Sequence, residues 1–141
     1  MKKLLLPMIA SLLLFCGCTE KTRVITSYYE VSKSQWEPNI TIYSDNTYEV
    51  NYYYSTWENV DITNGVINEG AVLVYYLDGT HDQMLPYTLY LHDDQGNLYQ
   101  ERIEFDVEPG VIRFKIKDND FQTASSIDNI GTMKFKVTVI R

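Results

Sequence analysis

The chain has 141 residues, 45% of them apolar and 13% aromatic, with twelve tyrosines and a net charge of −7 at neutral pH. That length supports one domain, which buries roughly two-thirds of the surface its unfolded chain exposes. The acidic balance argues against nucleic acid as a partner, because phosphate recognition needs clustered Lys and Arg.

Residues 1–15 read MKKLLLPMIASLLLF. Lys2 and Lys3 make a positive start, and residues 4–15 are apolar except for Ser11. A bilayer span needs about 20 apolar residues, so this stretch is too short to cross and fits the core of a signal peptide. It ends in Cys16-Gly17-Cys18, and these are both cysteines of the chain. The stretch resembles a bacterial lipobox, in which a small residue precedes a lipid-accepting cysteine. Gly17 is that small residue for Cys18, whereas bulky Phe15 precedes Cys16. Phe15 also stands where such signals usually carry Leu. Cys18 is therefore the expected site of acylation, with residues 1–17 removed.

Two other readings meet obstacles. A CxC pair can bind a metal or cycle as a redox couple, but Cys16 leaves with the signal. An uncleaved membrane helix meets the length limit already given. Acylation has a physical consequence, since each buried methylene contributes about 0.8 kcal/mol and stable anchoring takes two chains. Bacterial lipoproteins resemble that case, carrying several acyl chains on one cysteine. The folded part then needs no membrane-binding surface of its own, and with Cys18 capped it has no thiol for a disulfide. Removal of Lys2 and Lys3 takes the net charge from −7 to −9.

Residues 18–23 form a short polar tether. From residue 24 onward β-branched and aromatic residues dominate, with frequent turn signals and no sustained helical period, which predicts an all-β sandwich or barrel. Strands are expected at 24–32, 39–43 and 47–55, the last two joined by a turn at Ser44-Asp45-Asn46. In the third, Tyr48, Val50, Tyr52 and Tyr54 share one face, expected inward, and Glu49, Asn51 and Tyr53 share the other. Residues 60–69 break the alternation. Ile62 and Val66 stand four apart, as one helical turn requires, and Gly65 and Gly70 punctuate it.

Residues 71–77, AVLVYYL, are almost continuously apolar and predict a central strand buried on both faces. A loop follows at 78–82, then a strand at 84–91 in which Pro86 marks an edge or bulge. Residues 93–96 are a turn. Residues 98–107 alternate, with Tyr99, Glu101, Ile103, Phe105 and Val107 on one face and Glu101 as its polar exception. After the Pro109-Gly110 turn, Ile112, Phe114 and Ile116 oppose Arg113 and Lys115. Residues 118–131 are a polar connection with Phe121 and Ile127 as plugs. Residues 132–141 close the chain, with Met133, Phe135, Val137 and Val139 on one face. The expected total is about eight strands and one short helical turn, with residues 24–141 as the domain.

Chemistry-bearing patterns are sparse. There is no GxSxG turn, and His81 and His92 both stand beside turns. No catalytic residue, metal site or cofactor is assigned. Asp78, His81 and Asp82 cluster in one turn, and His92, Asp93 and Asp94 in another. A hairpin of 71–77 with 84–91 would put those turns at opposite ends. Asp118-Asn119-Asp120 resembles part of a calcium loop but lacks the glycine and distal glutamate. Asp and Asn also suit turns because they bond their own backbone. The tyrosine runs 28–29, 52–54 and 75–76 send adjacent rings to opposite faces. Tyr29, Tyr53 and Trp57 are the candidate exposed rings of a ligand platform. The competing reading is that tyrosine suits half-buried strands.

"QW" at 35–36, "GAVLVYYL" at 70–77, "LPYTL" at 85–89 and "MKFKVTVI" at 133–140 occur in that order. The pattern resembles a group of uncharacterised Bacteroidetes lipoproteins and secreted proteins that share a β-rich domain. The resemblance implies an Ig-like antiparallel β-sandwich in the envelope of such a bacterium, with Trp36, Tyr75, Pro86 and Tyr87 as landmarks of the fold. It brings no catalytic residues. The expected function is a non-enzymatic binding or structural module, lipid-anchored in the cell envelope, its partner a glycan or an envelope protein. The alternatives are a carbohydrate-binding accessory and an inhibitor or immunity-type lipoprotein.

Overall fold

A computed structural model describes residues 21–92, 95–118 and 131–141. Cys18, Asp93, Asp94, Phe121 and Ile127 lie outside them. Nine strands occur among the described residues: β1 (Val24–Val31), β2 (Glu37–Ile42), β3 (Tyr48–Glu58), β4 (Ala71–Leu77), β5 (Asp82–Met84), β6 (Tyr87–His92), β7 (Leu98–Glu108), β8 (Val111–Asp118) and β9 (Met133–Ile140). A 3-10 turn, Lys33–Gln35, follows β1, and a helix, α1 (Asn64–Glu69), precedes β4.

Two antiparallel sheets result, ordered β1-β9-β4-β5 and β2-β3-β8-β7-β6. In an immunoglobulin sandwich, strands A-B-E-D face C-F-G. Here β2-β3-β8-β7 take the A-B-E-D places, and β4 and β9 take C and F. The place of G is filled from the N-terminal side by β1, while β5 and β6 extend the edges. The sandwich is Ig-like in this permuted sense.

The core follows from strand alternation. Ile112, Phe114 and Ile116 of β8 and Met133, Phe135, Val137 and Val139 of β9 are all buried. The Phe114 and Phe135 rings stack across the sheet interface, 4.1 Å apart and 8° from parallel. Trp36 packs edge-on against Phe135. On β7, Glu101 and Ile103 are buried and Phe105 and Val107 pack against the core, as the alternation predicts.

The inward face of β3 is the opposite of the one expected. Tyr53 and Trp57 pack against the core and Ser55 is buried, while Tyr48 is exposed. The partner strand decides this. Tyr53, Ser55 and Trp57 stand opposite Ile116, Phe114 and Ile112, and opposed residues share a face. A register shift between Asn39 and Ile40 sets the distal half of the β2–β3 hairpin apart from the sheet body.

Strand β4 is not buried on both faces. Val74 alone is fully buried, and its neighbours are intermediate. Its core-facing residues are Val72, Val74 and Tyr76, and its other face belongs to the molecular surface. The stretch expected as one strand at 84–91 is two. Strand β5 pairs with β4, the Leu85–Pro86 peptide is cis, and β6 joins the other sheet beside β7. Pro86 thus marks a change of sheet. Residues 84–91 form no full hairpin with β4, so the turn near 78–82 and His92 belong to different sheets.

The helical turn forms where Ile62 and Val66 predict it, with both side chains buried. The Thr63 hydroxyl caps α1 by accepting from the Val66 N–H at 3.3 Å. Gly70 follows it as the C-cap, its N–H donating to the Val66 carbonyl, at a place where a Cβ would lie 2.3 Å from the Ile140 carbonyl oxygen.

Candidate ligand-binding surface

The outer face of the four-stranded sheet gathers side chains that no segment shows by itself. Tyr29, Phe135 and Tyr76 are in register and point to the core. Their neighbours therefore point out, and Tyr28, Lys136, Tyr75 and Met84 form a cross-strand row on β1, β9, β4 and β5. Tyr28 is 70% exposed. The Lys136 ammonium lies 4.5 Å from the centre of the Tyr75 ring. It also donates to the Asp82 carboxylate, and that bond raises the lysine pKa. The two tyrosines flank Lys136 from strands two apart, a separation of roughly 9.5 Å.

A polar row lies on each side. Thr26 and Thr138 share a hydroxyl–hydroxyl hydrogen bond of 3.2 Å. On the other side Lys134 pairs with Glu30 at 3.6 Å, beside Leu77. A surface groove of about 220 Å³ opens there, lined by Tyr28, Tyr29, Glu30, Leu77, Lys134 and Phe135. The surface thus combines one exposed ring, Tyr28, a second ring under Lys136, an apolar groove and paired charges of both signs. That composition suits a ligand with apolar faces and many hydroxyls better than one of high net charge.

The three rings singled out from sequence stand elsewhere. Tyr29, Tyr53 and Trp57 are half-buried and pack against the core instead of standing exposed. The fold brings two of them together. Tyr29 meets Trp57 edge-on at 5.6 Å, and both lie near Phe114 or its strand partner Ser55. The Tyr29 hydroxyl accepts from the Asn59 side chain at 2.8 Å and donates to the Glu58 carbonyl at 3.4 Å. Burial, the larger effect, raises its pKa. Tyr53 sits four residues back along β3, away from this pair. Tyr29 still borders the groove, and Trp57 borders a second one of about 270 Å³ with Gln35, Glu37, Ser55 and Thr56.

Tyr28 and Tyr75 were missed, although a signal for Tyr28 existed. Ile25, Tyr29 and Val31 share a parity on β1, which sends Tyr28 outward. The matching parity on β4 sends Tyr75 outward too. The outer face of the five-stranded sheet also carries rings. Tyr52 and Tyr54 lie beneath Lys115 and Arg113 at 5.6 and 5.9 Å. Lys115 in turn binds Asp106 at 2.9 Å and reaches Glu104 at 3.9 Å. Those rings are covered by a charge lattice, as the Tyr75 ring is by Lys136 and its partner Asp82; Tyr28 is the exposed ring of the four-stranded sheet's row.

The turn at 78–82 is engaged locally. The Asp78 carboxylate accepts from the backbone N–H of His81 and Thr80 and from the Thr80 hydroxyl, each at 2.7 Å, and from Gln83 at 3.3 Å. These bonds, led by the His81 N–H, hold its pKa well below the usual carboxylate range. Asp82 is turned toward Lys136. No three His, Cys, Asp or Glu side chains converge on a metal-sized site among the described residues.

Searches against family models, curated proteins and solved structures found no match to this chain.

Proposed function

We propose that the chain is a lipid-anchored protein of a bacterial cell envelope, held in the outer membrane through Cys18, whose sandwich is a non-enzymatic binding module. The lipobox residues Gly17 and Cys18 support the anchor. The row Tyr28–Lys136–Tyr75, set beside a groove on an open sheet face, carries the binding reading. A purely structural role has no need of the exposed Tyr28 ring beside that groove.

A second reading, carbohydrate binding, is favoured by the chemistry of that row. Tyrosine faces stack on the C–H faces of sugars, and Thr26, Thr138 and the Lys136–Asp82 pair supply donors and acceptors for hydroxyls. The test is isothermal titration of the acylated full chain, in detergent, against envelope and dietary polysaccharides. Heat with a neutral glycan, weakened about tenfold or roughly 1.4 kcal/mol in Tyr28→Ala or Tyr75→Ala, is expected. Tyr48→Ala, on the exposed end of the β2–β3 hairpin, leaves it unchanged. No heat with any glycan at high concentration, or heat undiminished in the Tyr28→Ala/Tyr75→Ala double variant, contradicts the reading.

A further inference from the structure

One end of the sandwich carries apolar side chains left partly or largely exposed among the described residues. Arg23 and Arg141 exchange backbone hydrogen bonds of 2.6 and 3.0 Å there, at the start of β1 and the end of β9. Val24 and Ala71 both stand opposite Ile140, and the Arg141 side chain reaches Asp61 at 3.6 Å. The turn after β7 joins the same end, because Asn59 donates to the Gly110 carbonyl and Gly110 to that of Ile62. Val24 is 59% exposed, Val60 82% and Ile67 41%. All three belong to segments that meet at this end.

Chain length supplies the second observation. Five residue steps separate Cys18 from Arg23, a reach of about 17 Å when fully extended. This inference rests on the lipid anchor proposed above. With Cys18 acylated, the lipid headgroups lie within that reach of Arg23, and so of this end. The long hairpin points the other way. Strand β3 leaves this end at Glu58, and Tyr48 lies ten residues, roughly 33 Å, along it.

We propose that this end, through Val60 and Ile67, seats on the surface of the anchoring membrane and so fixes the orientation of the sandwich. The β2–β3 hairpin then points away from the bilayer, and the row Tyr28–Lys136–Tyr75 stands on a side wall, open to ligands. Charge is mixed here: Lys21 and Arg23 are cationic, Arg141 is paired with Asp61, and Glu58 and Glu69 are acidic. Apolar insertion therefore dominates, and the contact is insensitive to salt.

The test uses acylated full chain in phosphatidylcholine vesicles. A single cysteine is introduced as Val60→Cys, Ile67→Cys or, for comparison, Ser44→Cys in the hairpin turn. Each carries an environment-sensitive fluorophore, quenched by nitroxide-bearing lipid, and vesicle flotation reports anchoring separately. Flotation with quenching several-fold stronger at 60 and 67 than at 44, unchanged at high salt, is the expected result. Flotation with equal quenching at all three overturns the seating while leaving the anchor intact. Failure to float overturns the anchor, and the seating with it.

Discussion

At the scale of single residues, Asp78 shows how a polar cluster can be wholly absorbed by its own turn. Its carboxylate is held by two backbone N–H groups and two side chains, which depress its pKa. A depressed carboxylate contributes stability that is complete above the unfolded value, about 3.9, and lost as pH falls below it. Wild type should therefore lose stability below about pH 4 more steeply than Asp78→Asn, while the two curves run parallel at neutral pH. Urea unfolding across pH 2–7 measures this, and identical acid limbs would show that the turn does not hold the charge. Rings are harder to read than this carboxylate. Tyr28 and Tyr29 are the same residue type in adjacent positions, so only neighbouring Ile25 and Val31 show which faces inward. Tyr29 is engaged in packing on Trp57 and Phe114, and Tyr28 is left exposed.

At the scale of elements, the glycines around α1 separate two kinds of constraint. Gly70 approaches the Ile140 carbonyl too closely for any Cβ, so Gly70→Ala should lower stability by about 1–3 kcal/mol. Gly65 has room, its Cβ meeting only the Thr63 hydroxyl at 3.7 Å, and Gly65→Ala should raise stability by up to about 1 kcal/mol. Urea denaturation of both variants tests the pair, and a shared sign would contradict the account. Strands that pair through simple alternation were legible in sequence: β8 and β9 bury the residues their patterns name, and on β7 Glu101 and Ile103 are buried with Phe105 and Val107 packed against the core. The face of β3 was not, because tyrosines occupy both parities and only its register with β8 decides between them. The split at Pro86 was half legible. Proline marks a break in the ladder, but a change of sheet depends on where β7 lies, which no local pattern records. Strand β4 misled for a related reason. Its unbroken apolar run suits burial on two faces, yet its outward residues support the surface row beside Lys136.

At the scale of the whole molecule, the candidate surface depends on strands far apart in sequence. Tyr28 and Lys136 meet because β1 takes the place beside β9, closing the sandwich from the N-terminal side. The same pairing puts Arg23 beside Arg141, so on the proposed anchor a short tether from Cys18 would hold this end of the fold near the membrane. On the two proposals together, the wall that carries Tyr28 would stand close to a bilayer. The fold class was visible in alternation and turns, whereas the surface required the topology. All of this rests on lipid at Cys18. The most direct test is metabolic labelling with an alkyne-bearing palmitate, comparing wild type with Cys18→Ser in a bacterial host. Label on the wild type and none on Cys18→Ser, with the variant lost from the membrane fraction, is the predicted result. Undiminished label on Cys18→Ser would contradict the account.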